Sequence, residues 1–152
     1  EPDIITLAKG IGGGFPLSAM LTKEKLNIFE PGDQGGTYCA QPLAMAGGTA
    51  VISEIIEKKT CKNAGQIGER IFEKLNAIKD KFGLKNIRGK GLLIAFDLPE
   101  ERGAEVVKEC LKQGLLVNTP KPATIRLMPA LIVSREDVDA MIEILIKVLE
   151  KV

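Results

Sequence analysis

Short, nearly all-apolar runs alternate along the chain with longer stretches in which apolar residues recur every three or four positions. "DIITLA" (residues 3 to 8) is continuous and β-branched, which predicts a parallel strand covered on both faces. "PLSAMLT" reads as a second strand, followed by a short helical piece around residues 23 to 29 and an ordered loop over "EPGDQGGTYCAQP". Pro42 suits the first turn of a helix through "LAMAGGTAVISEIIEKK", where its missing N–H goes unneeded. From Asn63 to Phe82, the residues Ile67, Ile71, Leu75, Ile78 and Phe82 form one apolar stripe, and Gly83 can end that helix.

Beyond it, "IRGKGLLIAFDL" reads as one strand, "GAEVVKECLKQG" as a helix closed by Gly114, and "LLVNT" and "TIRLMPAL" as two further strands. The last helix carries the clearest start signal. Ser134 is its N-cap, Asp137 completes a capping box, Val133 and Val138 form a hydrophobic staple, and Val138, Met141, Ile142, Leu145 and Val148 define the core face. The character of the chain changes near residue 53, so two subdomains are expected, residues 1–52 and 53–152. The fold class expected is α/β.

Composition narrows the partners. The 152 residues are 45% hydrophobic, enough for a real core, and 21 Lys plus Arg are interspersed with 20 Asp plus Glu. That balance argues against nucleic acid or an anionic membrane surface, and no apolar window approaches the roughly 20 residues of a membrane span. Three widely spaced cysteines without a single histidine argue against a disulfide framework and against a metal site, and fit reduced cytoplasmic thiols. The lack of histidine also removes Ser-His and Cys-His pairs, which leaves carboxylates, lysine or a cofactor to carry any chemistry. The chain opens "EPDIITLA" with no initiator methionine, and reads as a C-terminal piece of a longer protein.

Lys9 then becomes the natural suspect. It follows the first strand directly, where ligands collect in α/β sheets, and glycines at 10, 12, 13 and 14 permit close backbone approach to a planar ligand. An uncharged lysine amine attacks carbonyls, which suits an aldehyde cofactor such as pyridoxal phosphate. A glycine turn beside a solvated lysine explains the same residues. Nucleotide-binding readings fail on spelling: Phe15 stands where the dinucleotide fingerprint needs its third glycine, and no phosphate-loop triplet is present. Arg126, between Ile125 and Leu127 in an apolar strand, needs an anion to answer it, either a ligand carboxylate or an internal acidic partner.

The ordered set "ITLAKGIGGGFPLSAML", "GGTYCAQPLAMA", "IRGKGLLIAFDL" and "TIRLMPALIVSREDVDAMIEIL" resembles the C-terminal part of class III aminotransferases, their acetylornithine branch above all. The resemblance implies a pyridoxal-phosphate-dependent transferase of fold type I, with the end of its large domain followed by the small α/β domain. It implies that Lys9 is the Schiff-base lysine and proton shuttle, catalytic and cofactor-binding at once. It also implies that Thr37 reaches the cofactor phosphate of the neighbouring subunit of a homodimer, and that Arg126 takes the substrate carboxylate. The implied reaction moves an amino group from N-acetylornithine to 2-oxoglutarate, within arginine biosynthesis in the cytoplasm.

Sister activities on ornithine, succinylornithine, 4-aminobutyrate or a lysine derivative share these residues. A non-catalytic dimerisation or assembly module is the alternative of another class. Gln34 and "CAQ" at 39 to 41 depart from the histidine and "GGN" usual in this family's loop, so substrate preference does not transfer through them. The family's pyridinium aspartate, stacking aromatic and phosphate cup have no counterpart among these residues, so this chain alone is expected not to transaminate.

Overall fold

The computed structural model describes all 152 residues, in two compact units that divide between Lys59 and Thr60. The first unit opens with β1 (Ile4–Leu7), a 3-10 turn (Lys9–Gly12) and β2 (Ala19–Thr22), and ends in α1 (Pro42–Glu57). β1 pairs antiparallel with β2, Ile4 opposite Thr22 and Leu7 opposite Ala19. This corrects the expectation of a parallel strand buried on both faces: Ile4 and Ile5 are 55% and 41% exposed. The connection is too short for the crossover that parallel pairing needs, so the two consecutive strands fold back as a hairpin. The helical piece after β2 is a single 3-10 turn, Glu24–Leu26.

Pro42 does occupy the start of α1. The Gly47–Gly48 pair inside that helix lets the lysine turn approach, with the Gly12 carbonyl 3.6 Å from where a Cβ on Gly47 would sit.

The second unit has the order α2 (Thr60–Phe82), β3 (Lys85–Lys90), β4 (Leu93–Asp97), α3 (Gly103–Lys112), β5 (Asn118–Lys121), β6 (Thr124–Leu127) and α4 (Arg135–Lys151). "IRGKGLLIAFDL" is therefore two strands, because Gly91, at φ +57°, and Leu92 turn the chain back on itself. "LLVNT" becomes a strand only at Asn118. The sheet order is β3-β4-β6-β5, every pair antiparallel.

Alternation along the strands sends Ile94, Phe96, Ile125 and Leu127 into a core with Ile67, Ile71 and Leu75 of α2, Val106 and Cys110 of α3, and Val138, Ile142, Leu145 and Val148 of α4. Helices thus cover one face of the sheet. Fully burying side chains of this size stabilises by about 1.5–3 kcal/mol each. The capping box forms as expected: Asp137 N–H donates to Ser134 Oγ at 3.1 Å and Ser134 N–H to Asp137 Oδ2 at 3.1 Å. Arg70 grips Asp139 with Nη2 at 2.6 Å, and Lys74 joins at 3.0 Å, tying α2 to α4.

Candidate active site

Lys9 opens the 3-10 turn two residues after β1, with its own backbone in the left-handed region at φ 55°. Such a conformation costs a non-glycine residue on the order of 1–3 kcal/mol and persists only where the surroundings impose it. The turn that follows is packed tightly at three points. Gly12 is buried and its amide oxygen accepts from Phe15 N–H at 3.0 Å. Gly13, at φ +59°, sits so that a Cβ would lie 2.8 Å from Val51 Cγ2 of α1. Leu17 fills the space beside Gly12 and Gly48.

The result is a lysine on the rim of an open depression of about 700 Å³, lined by Lys9, Gly10, Gly14, Phe15, Pro16, Leu17 and Ser18. Cβ atoms added at Gly10 or Gly14 would meet nothing within 4 Å, so the glycines leave room on the side where a flat ligand could lie. A primary amine, a bare glycine backbone and an apolar wall from Phe15 and Leu17 are a donor set that fits an aromatic aldehyde.

Thr37 lies in the turn before α1, exposed, with its carbonyl accepting from Gln41 Nε2 at 2.8 Å. Its hydroxyl makes no hydrogen bond within the chain and is free for a ligand.

Arg126 is half-buried in β6, on the face of the sheet that the helices leave open. Register places it in one rung across all four strands: Arg88 opposite Ala95, Ala95 opposite Arg126, Arg126 opposite Asn118. The two arginines are treated differently. Arg88 donates to Asp97 at 3.1 Å and to the Asn86 carbonyl at 2.7 Å, which places it inside a network. Asp97 is saturated by Thr124 at 2.7 Å, Asn86 at 2.9 Å and Arg88, and these bonds, Thr124's first, hold its carboxyl down at about 2. Arg126 has no acidic partner in the chain, and only its Nε is engaged, by Asn118 Oδ1 at 2.9 Å.

Cys39 and Cys61 are exposed and Cys110 is buried, where desolvation pushes its thiol up to about 11. No group of three or more His, Cys, Asp or Glu side chains is placed to hold a metal ion. No helix is long and apolar enough to cross a membrane.

Sequence reasoning did not foresee the Gly47–Gly48 approach to the lysine turn or the Asn118–Arg126 bond. The first left a trace, since two glycines inside a helical pattern weaken it and point to close backbone contact. The second depends on strand register, which no local pattern encodes.

Residues 1–149 match the family "Aminotransferase class-III", and the chain belongs to that family. Among its relatives, the acetylornithine aminotransferase of Caldanaerobacter subterraneus subsp. tengcongensis is 39% identical over 99% of this chain and 39% of that protein. That of Ralstonia nicotianae is 43% identical over 95% of this chain and 37% of its own. Two solved structures superpose closely. Acetylornithine aminotransferase from Elizabethkingia anophelis has a TM-score of 0.92 at 26% identity, over 100% of this chain and 42% of that one. The ornithine aminotransferase from Plasmodium yoelii has a TM-score of 0.90 at 31% identity, over 99% and 42%. The chain thus has the mixed α/β fold of class III pyridoxal-phosphate-dependent aminotransferases and spans well under half the length of these relatives.

Proposed function

We propose that the chain is the C-terminal part of a pyridoxal-phosphate-dependent aminotransferase that moves an amino group from N-acetylornithine to 2-oxoglutarate. The observation that carries the reading is the amine of Lys9, held by a strained turn at a strand end beside an open, glycine-floored depression, in a chain 39–43% identical to acetylornithine aminotransferases. Residues 1–52 would complete the large domain and residues 53–152 form the small one. The setting would be arginine biosynthesis in the cytoplasm, and the assembly a homodimer.

Pyridoxal phosphate, when bound, supplies an electron sink for the bond to be broken at the substrate Cα. Lys9 Nζ would hold its aldehyde carbon between turnovers, then take the proton from the substrate Cα and return it at the cofactor carbon. The Thr37 hydroxyl would donate to the phosphate across the dimer. Arg126 would bind the carboxylate of amino donor and 2-oxoglutarate in turn, since an uncompensated guanidinium on a half-buried strand accepts an anion with two parallel bonds.

The test is borohydride reduction of the complete gene product with pyridoxal phosphate, followed by peptide mass spectrometry. The label should fall on Lys9, and Lys9→Ala should lose the yellow colour and at least roughly 10³-fold in kcat. Unchanged colour and rate in Lys9→Ala would rule out the assignment and favour a non-catalytic assembly role. Ornithine is the second donor to assay, because the chain superposes as well on an ornithine aminotransferase as on an acetylornithine aminotransferase. The 152-residue chain alone should show no turnover with either.

A further inference from the structure

We propose that Asn118 is a positioning residue: by accepting from Arg126 Nε it fixes the guanidinium so that its Nη1–Nη2 edge is the one presented to the substrate carboxylate. The inference rests on the carboxylate role given to Arg126 above.

A guanidinium offers a carboxylate two edges, Nε with one Nη, or the two Nη groups together. In β6 the first edge is taken, because Asn118 Oδ1 lies 2.9 Å from Nε. The two residues are direct partners across the β5–β6 ladder, so the bond is set by register and not by chance rotamers. A neutral acceptor is the informative choice. An aspartate at the same place would steer the side chain equally well but would cancel its charge, whereas the amide steers it and leaves the full positive charge for a ligand.

The neighbours on the rung agree with that division. Ala95, directly opposite Arg126 on β4, is too small to cover the free edge. The carboxylate on this face, Asp97, already accepts from Thr124, Asn86 and Arg88. Arg126 is thereby oriented but not neutralised.

Two variants of the complete gene product, loaded with pyridoxal phosphate, test this. One readout is the Kd of glutarate, a dicarboxylate with no reacting group, by calorimetry; the other is KM for 2-oxoglutarate. Asn118→Leu removes the acceptor at similar size and should raise both constants about ten-fold, equivalent to about 1.4 kcal/mol, with kcat falling by less. Asn118→Asp keeps the hydrogen bond and the fold but adds the competing charge, and should raise both at least as much.

A purely structural role for Asn118 makes a different forecast for Asn118→Leu, which would lower stability and leave glutarate binding and KM intact. If Arg126→Lys raises both constants but Asn118→Leu leaves them within about two-fold, the positioning role is refuted and the carboxylate role stands. If Arg126→Lys also leaves them unchanged, the carboxylate role itself fails, and this inference with it.

Discussion

Gly68→Ala and Gly65→Ala should shift stability in opposite directions, although they are the same substitution three residues apart in one helix. Intrinsic propensity favours alanine over glycine in a helix interior by about 1 kcal/mol at either site. At Gly65 nothing lies within 4 Å of an added Cβ, so that gain should be realised. At Gly68 the added Cβ would stand 2.2 Å from the Gly91 carbonyl oxygen and 2.8 Å from its carbon. Relief requires α2 and the β3–β4 turn to part by roughly 1 Å, and the obstacle is backbone on both sides, which no rotamer change can clear. Overpacking of this kind costs about 1–3 kcal/mol, and the upper part of that range applies because Gly91 is itself held at φ +57°. After the propensity gain, Gly68→Ala should lose about 1–2 kcal/mol while Gly65→Ala gains up to about 1. For a chain of this length, that separates their unfolding midpoints by roughly 5–10 °C. Thermal and urea unfolding of the 152-residue chain, followed by far-ultraviolet circular dichroism, measures the difference. Midpoints that moved the same way would refute the claim that backbone contact, not helix propensity, governs Gly68.

Loss of the capping box in Ser134→Ala leaves the Asp137 N–H without its partner and should lower stability by about 1 kcal/mol, read as a urea midpoint shift at unchanged slope. Asp97 supplies an acid-range dependence. Its carboxyl, ordinarily at 3.8, is held at about 2 by Thr124 first and then Asn86 and Arg88, so its contribution is complete above about pH 4 and lost as pH falls toward 2. Asp97→Asn should flatten stability across that window, and a carbon-13 carboxyl titration should show the Asp97 pKa rising in Thr124→Val.

Local chemistry made much of the fold legible. The helix stripe from Ile67 to Phe82, Pro42 at the start of α1 and the Ser134 box are each written in residues a few positions apart, and each stands where the pattern puts it. What was not legible is what depends on distant pairing. "DIITLA" has the composition of a doubly covered strand, yet within this chain β1 meets only β2 as its ladder partner, and a two-stranded hairpin covers neither face. "IRGKGLLIAFDL" has unbroken apolar character from Leu92 to Phe96, which hid the reversal at Gly91–Leu92. The cue was present in the two glycines flanking Lys90, residues that weaken a strand interior and favour a turn.

The same contrast explains why charge counting says so little about the site. Twenty-one cations against twenty anions gives a chain that is nearly neutral, and a neutral chain suggests no anion receptor. Register redistributes those charges. It brings Arg88 and Arg126 onto one rung, gives Asp97 to the first through a network closed by Thr124 and Asn86, and gives the second a neutral amide. Burial then raises the cost of leaving that second charge unanswered, because a half-buried guanidinium has lost part of its hydration without gaining a counter-ion. A bound carboxylate would stabilise such a site, so the carboxylate affinity proposed for Arg126 and its incomplete solvation would be two expressions of the same strand pairing.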